Sequence, residues 1–194
     1  MANTSATGGY LLQDAPILND DELLDFMHDV IVGITGLANN RVRPAFQPNP
    51  AKRPGISVDW CAFFISNQKP EAGNSYVEQH GDGLGAKAVR HETFDMRCTF
   101  YGPLSGTNAS NARDNLQLAQ NREQLFLAGM GFVEATSFPT IGELVDEQWY
   151  KRSDVILSFR RELNRNYSVL SFASAVGQII TETLTIDWAV GPEV

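Results

Sequence analysis

Cysteine and histidine are scarce in this sequence, with two of the first and three of the second among 194 residues. Cys61 and Cys98 form neither a Cys-x-x-Cys pair nor a Cys/His spacing suited to zinc. Both fall in stretches with strand periodicity, where a free thiol behaves as a small buried hydrophobe. Nucleophilic catalysis needs a Ser or Cys held against a base, and no Gly-x-Ser-x-Gly elbow accompanies any of the histidines. No apolar run approaches the roughly 20 residues of a membrane-spanning helix. Lys and Arg number 15 against 23 Asp and Glu, a formal charge of −8. The basic residues fall in pairs, Arg41/Arg43, Lys52/Arg53, Lys151/Arg152 and Arg160/Arg161, rather than in the stripe that phosphate neutralisation requires. These absences argue against an enzyme, a cofactor or metal site, a membrane span and a nucleic-acid reader.

What is present is an ordinary globular composition, 43% hydrophobic and 20% charged, at a length suited to one domain. Residues 1–16 are small and polar and read as a flexible N-terminal arm that frays or orders on a neighbouring subunit. The first ten residues lack the basic cluster and apolar core of a secretory signal, so synthesis in a cytoplasm is expected. Residues 17–194 read as a single α+β domain. Asn19 or Asp20 caps a helix from about Asp20 to Leu37, in which Leu23, Phe26 or Met27, Val30, Ile34 and Leu37 form one apolar stripe. His28, beside Asp29, reads as a surface or hydrogen-bonded residue. Four prolines between Arg41 and Gly55 make residues 41–55 an extended connector, long enough to reach an adjacent subunit.

Ile56, Val58, Trp60, Ala62 and Phe64 alternate with Ser57, Asp59 and Cys61 as a half-buried strand. Residues 67–88 read as a second long loop carrying the Gly81-Asp-Gly-Leu-Gly85 cluster, which lacks the strand, helix and Gly-Lys-Ser/Thr context of a phosphate loop and reads as a mobile turn. His80, Asp82, His91 and Glu92 offer metal-ligand chemistry, but strand parity sends His91 and Glu92 to opposite faces. The cleanest strand follows, with Phe94, Met96, Cys98 and Phe100 on one face and Thr93, Asp95, Arg97 and Thr99 on the other. Gly102-Pro103 ends it. Asn108 or Ser110 then caps a helix carrying Ala112, Leu116 and Ala119 inward, and a short helix with Leu125 and Ala128 stops at Gly129. Runs from Val155 to Leu163 and from Ile179 to Trp188 supply two further strands, and Ser168–Val176 fits either a strand or a helix. The fold class is therefore α+β, a mostly antiparallel sheet of about four to five strands packed against an N-terminal helix and a central helix pair.

The order of pieces from Phe94 onward carries a resemblance. Phe94-Asp-Met-Arg-Cys-Thr-Phe-Tyr-Gly-Pro103 is followed by Asn111-Ala-Arg-Asp-Asn-Leu116, Gln120-Asn-Arg-Glu-Gln-Leu125, Pro139 and Asp146-Glu-Gln-Trp-Tyr-Lys-Arg-Ser-Asp154. This window, Thr93 to Asp187, resembles the tail-terminator, or neck-terminator, proteins of tailed bacteriophages. The resemblance implies a structural virion protein of the tail or neck, without enzymatic activity or cofactor. It implies a homo-oligomeric, hexameric ring that caps the tail tube, ends elongation and offers a joining surface to the head connector. The implied partners are the tail tube protein, the connector or neck proteins and, in a contractile tail, the sheath, with DNA passing through the lumen without specific binding. Gln120, Arg122, Trp149 and Arg152 match the family's turn and its acidic-Trp-Tyr-basic step, and Tyr101 its strand end. These five are the candidate interface residues. Two other readings stay open, another neck or head-tail completion protein of the same particle, and a monomeric small-ligand-binding domain with the Gly81–Gly85 loop over a pocket.

Overall fold

A computed structural model describes residues 7–12, 20–49, 51–71, 76–79, 86–137, 139–167, 175–180 and 185–190. In chain order its elements are α1 (Asp20–Thr35), β1 (Val42–Pro44), β2 (Trp60–Pro70), β3 (Tyr76–Gln79), β4 (Ala86–Tyr101), α2 (Ser105–Asn115), α3 (Glu123–Leu127), β5 (Met130–Ser137), β6 (Ile141–Val145), β7 (Gln148–Tyr167), β8 (Ala175–Ile180) and β9 (Thr185–Val190). The chain divides into two compact units. One comprises residues 18–74 and 90–163, and the other residues 1–17, 75–89 and 164–194. His80, the Gly81–Gly85 cluster, most of the expected N-terminal arm and most of Ser168–Val176 lie outside the described residues.

The fold is α+β, with a sheet in the order β1-β2-β4-β7-β5, to which β3 adds on β4 and β6 on β7. Seven strands therefore stand where the periodicity suggested four or five. The long strands β4 and β7 outrun their principal neighbours, and the short β3 and β6 pair with the lengths left over. The β1 pairing with β2 is parallel, unlike the antiparallel β2–β4, β3–β4, β5–β7 and β6–β7 pairs. In the smaller unit the run Ile179–Trp188 is two strands rather than one, β8 and β9, paired antiparallel with Ile180 opposite Thr185.

The larger unit is organised by β4. Phe94, Met96, Cys98 and Phe100 are completely buried while Arg97 is exposed, the parity its alternation predicts. The parity of β2 is the reverse of expectation. Cys61 and Phe63 face the main core, and Trp60 faces the opposite side. Both faces of Trp60-Cys-Ala-Phe-Phe-Ile65 are apolar, so periodicity alone does not distinguish them. Cys61 and Cys98 share this core as free thiols, and burial, then the neighbouring Cys98 thiol, pushes the Cys61 pKa up.

α1 closes over that face with Leu23, Met27, Ile31 and Ile34, so the stripe keeps the expected Leu23, Met27 and Ile34 and takes Ile31 in place of Val30. His28 bonds Asp29 at 3.0 Å and the Asn39 carbonyl at 3.1 Å. Gly36, at φ 73°, stops the helix as expected. α2 begins at Ser105, earlier than the anticipated cap at Asn108 or Ser110, because Asp59 accepts the Leu104 N–H at 2.8 Å. α2 ends at Asn115, which leaves Ala119 exposed rather than inward. The Asn115 amide donates to the Ile34 carbonyl at 2.7 Å and Asn121 to the Asn115 carbonyl at 2.9 Å, so side chains satisfy both helix ends.

Two buried features test this packing. Gly102 has φ 105°, and a Cβ there would meet the Val58 carbonyl oxygen at 2.6 Å and the Asp59 Cα at 2.8 Å. Gly102→Ala is expected to lower unfolding free energy by at least about 2 kcal/mol in urea titration, since a strained φ and a backbone clash add. Glu92 accepts Arg161 at 2.7 and 2.8 Å with both side chains buried, and Arg90 lies 3.5 Å from its other oxygen. Arg161→Met alone should cost about 3 kcal/mol by leaving the buried carboxylate only Arg90 at 3.5 Å. Adding Glu92→Leu should recover most of that loss in the same double-mutant cycle.

Candidate functional site

The second face of the sheet carries an aromatic cluster that β2, β4 and β7 assemble. Trp60 and Tyr101 are cross-strand partners and stack with centroids 4.4 Å apart and planes 10° apart. Tyr150 of β7 and Val145 of β6 complete the cluster. Arg53, from the proline connector, lies over it, its guanidinium 4.3 Å from the Tyr150 ring, 4.6 Å from Tyr101 and 5.9 Å from Trp60. Its Nη1 is 3.5 Å from Glu143, whereas Nε and Nη2 find no hydrogen-bond acceptor. Ring faces therefore replace water around most of the cation, the arrangement in which cation–π attraction is strongest. The connector is also pinned by Arg43, which donates to the Lys52 carbonyl at 3.2 Å, so the Lys52–Pro54 end is fastened to its own sheet.

Arg152 enters the same cluster. It forks onto Asp154 at 2.6 and 2.8 Å and reaches Glu143 at 3.4 Å, and the Asp154 bond above all holds its pKa above the usual value. Tyr101 and Arg152 thus belong to one network around Glu143. Trp149 does not. It is an odd neighbour in the β6–β7 register, opposite Leu144, and its ring lies over Gly142 on the other face of the hairpin. There Trp149 is 69% exposed, with Leu144 also exposed. The hairpin turns at Asp146-Glu147, both at positive φ, as a two-residue connection of the primed type requires.

Gln120 and Arg122 sit elsewhere, on a 3-10 turn at Gln120–Arg122 leading into α3. They line an open groove with Phe126, Met130 and Phe132. Leu125 is buried, but Phe126 and Leu127 are 80% and 71% exposed. The five candidate residues therefore occupy three places, the Glu143 network, the outer hairpin face and the α3 turn. Sequence reasoning missed Arg53, Trp60, Glu143 and Tyr150, which meet only through strand register. It also passed over Phe126-Leu127, for which a signal existed. Three consecutive apolar residues in a short helix cannot share one buried face.

Most members of the basic pairs are engaged. Arg160 forks onto Glu71 at 2.5 and 3.0 Å, Lys151 donates to the Pro103 carbonyl at 3.2 Å, and Arg152, Arg161 and Arg53 face carboxylates. Among the described residues no group of three or more His, Cys, Asp and Glu side chains is arranged to hold a metal ion. No described helix is long and apolar enough to cross a membrane.

In comparisons with known proteins, the model of a family described as phage neck terminator protein matches residues 21–185. The match runs from the first turn of α1 to the start of β9. No curated protein matches the chain.

The Glu143 network has a pH signature. Burial first and the Glu143 charge second hold the Tyr101 hydroxyl above its ordinary 10.0, against the opposing pull of Arg152 and Arg53. A tyrosine whose folded pKa is raised adds stability that is complete below the unfolded value and is lost as pH rises through the folded one. Thermal melts should therefore fall in midpoint as pH is raised above about 10. Tyr101→Phe should flatten that alkaline slope while leaving the slope near neutrality unchanged.

Proposed function

The chain belongs to the phage neck terminator family, and from that membership we propose that it closes the finished tail tube as a ring and joins it to the head. It is a structural protein of the phage neck. In the proposed role six copies form a ring that seats on the last layer of tail tube protein, stops elongation and presents its other side to the connector or neck proteins. A contractile tail would add the sheath as a partner. The observation that carries this reading is the family match across 21–185, which takes in the helices and the sheet of the larger unit together.

Surface chemistry supports it. Aromatic and Arg side chains anchor protein interfaces, and this chain exposes Trp149, Phe126, Leu127 and Phe46 at separate places around one sheet. A ring needs heterologous contacts, two different patches per subunit, and stacking needs further ones. The formal charge of −8 per chain would make such a ring strongly negative, and a negative lumen lets DNA pass without adhering.

Disruption of the gene in the phage, followed by negative-stain imaging and composition analysis of the lysate, tests the role. Tails of uncontrolled length, or finished tails unattached to filled heads, are expected. Normal infectious particles would reject the proposal.

A further inference from the structure

A ring needs two different surfaces per subunit that meet, and among the described strands the sheet has two edges without a partner over part of their length. At one edge, β1 covers β2 only from Cys61 to Phe63, with Ala45 donating to the Phe63 carbonyl. Beyond Phe63 no described strand pairs with the outer side of β2. Its remaining length, Phe64 to Pro70, borders a groove of about 430 Å³ lined by Asp20, Leu24, Phe46, Phe64 and Gln68. Phe46 is 81% exposed there and touches the Phe64 ring at 5.1 Å between centroids. At the other edge, among the described strands, β5 pairs only with β7, and it borders the groove of Arg122, Glu123, Phe126 and Phe132.

An open strand edge with little charge is a template for another strand, and monomeric proteins blunt such edges with several charges or a cover. These edges carry one charge each. Phe64 to Pro70 contains only Lys69, and β5 contains only Glu134, both exposed. The flanking grooves differ in their ionic groups, Asp20 lining the first and Arg122 with Glu123 the second. Asp20, Asp21 and Glu22 are exposed at the start of α1, while Arg122 at the other groove has no carboxylate partner among the described residues. Each groove offers an aromatic, Phe46 or Phe126, to a facing surface. Each edge also has a bulge, between Ser66 and Lys69 and between Phe132 and Glu134. Bulges restrict pairing to a short stretch and so to a matching edge.

We propose that the occupant of each edge is a second copy of this chain, the β5–α3 edge of one subunit adding to the Phe64–Pro70 edge of the next. Lys69 then faces Glu134, and Arg122 faces the acidic start of α1. The two edges differ, so the contact is heterologous, and repeating it with rotation closes a ring with all helices on one side of a continued sheet. This inference rests on the ring reading, and the test separates the two.

Native mass measurement of the unmodified full chain reports whether a ring exists. The double variant Gln68→Cys with Thr136→Cys is then treated with a bis-maleimide, Cys61 and Cys98 being fully buried and so silent. Expected is a covalent ladder up to the ring number from the double variant, monomer from either single variant, and dimer at most from the two mixed. A ring of correct mass that stays monomeric on the denaturing gel overturns the edge contact and leaves the ring standing. A strictly monomeric native chain overturns the ring and the contact together. If the cysteine variants fail to fold, Lys69→Glu and Glu134→Lys should each weaken assembly at least tenfold, and together restore it. Failure of that restoration would also overturn the contact.

Discussion

Phe94, Met96, Cys98 and Phe100 turn one face of β4 into a fully buried surface, and the larger unit is arranged around the need to cover it. Each such side chain contributes about 1.5–3 kcal/mol when removed from water, enough to offset the ordering of the strand and its neighbours. Strands β2 and β7 flank β4, and α1 and α2 lie across it with small residues, Ala109 and Ala112, where the helices approach. Gly102 ends the strand at a positive φ against Val58 and Asp59. The same turn frees Asp59 to start α2, so the helix layer is positioned by the last residue of the strand it covers.

Once one face is dedicated to the core, what appears on the other is a consequence of register. Trp60, Tyr101 and Tyr150 come together because their strands are already aligned by the buried side chains between them. Arg53 then fastens the proline connector over those rings. A cation placed on three ring faces, with one carboxylate nearby, restricts a segment that its prolines alone would leave without backbone partners. A structural protein of the phage neck works through the surfaces it presents. The β6–β7 hairpin, with Arg152 and Glu143 on one face and Trp149 on the other, holds an exposed aromatic on a paired backbone.

The edges follow from the same architecture. A sheet built outward from one central strand ends in β1 and β5, and neither is long enough or charged enough to isolate it. In a soluble monomer that would be a hazard. In a protein that adds copies of itself edge to edge, as proposed above, it would be a resource, and Lys69 at one edge with Glu134 at the other would give that addition direction.

Much of this was legible locally. The alternation of Thr93–Phe100, the helical spacing from Leu23 to Ile34, the stops at Gly36 and Gly129 and the ordered motifs from Phe94 to Asp154 each depend on neighbours a few residues apart, and the amino-acid sequence determined them. So did the α+β class and the family. The parity of β2 was not legible, because both of its faces are apolar and only pairing with β4 selects one. Nor were β1, β3 and β6, which form by finding a partner strand distant in the chain. The network of Arg53, Tyr101, Glu143 and Arg152 spans 99 positions of sequence, and the buried Glu92–Arg161 pair spans 69. Periodicity reports which residues want to leave water, a local property of side chains. Which partners meet them is decided by strand register, and register is set only when the tertiary structure closes.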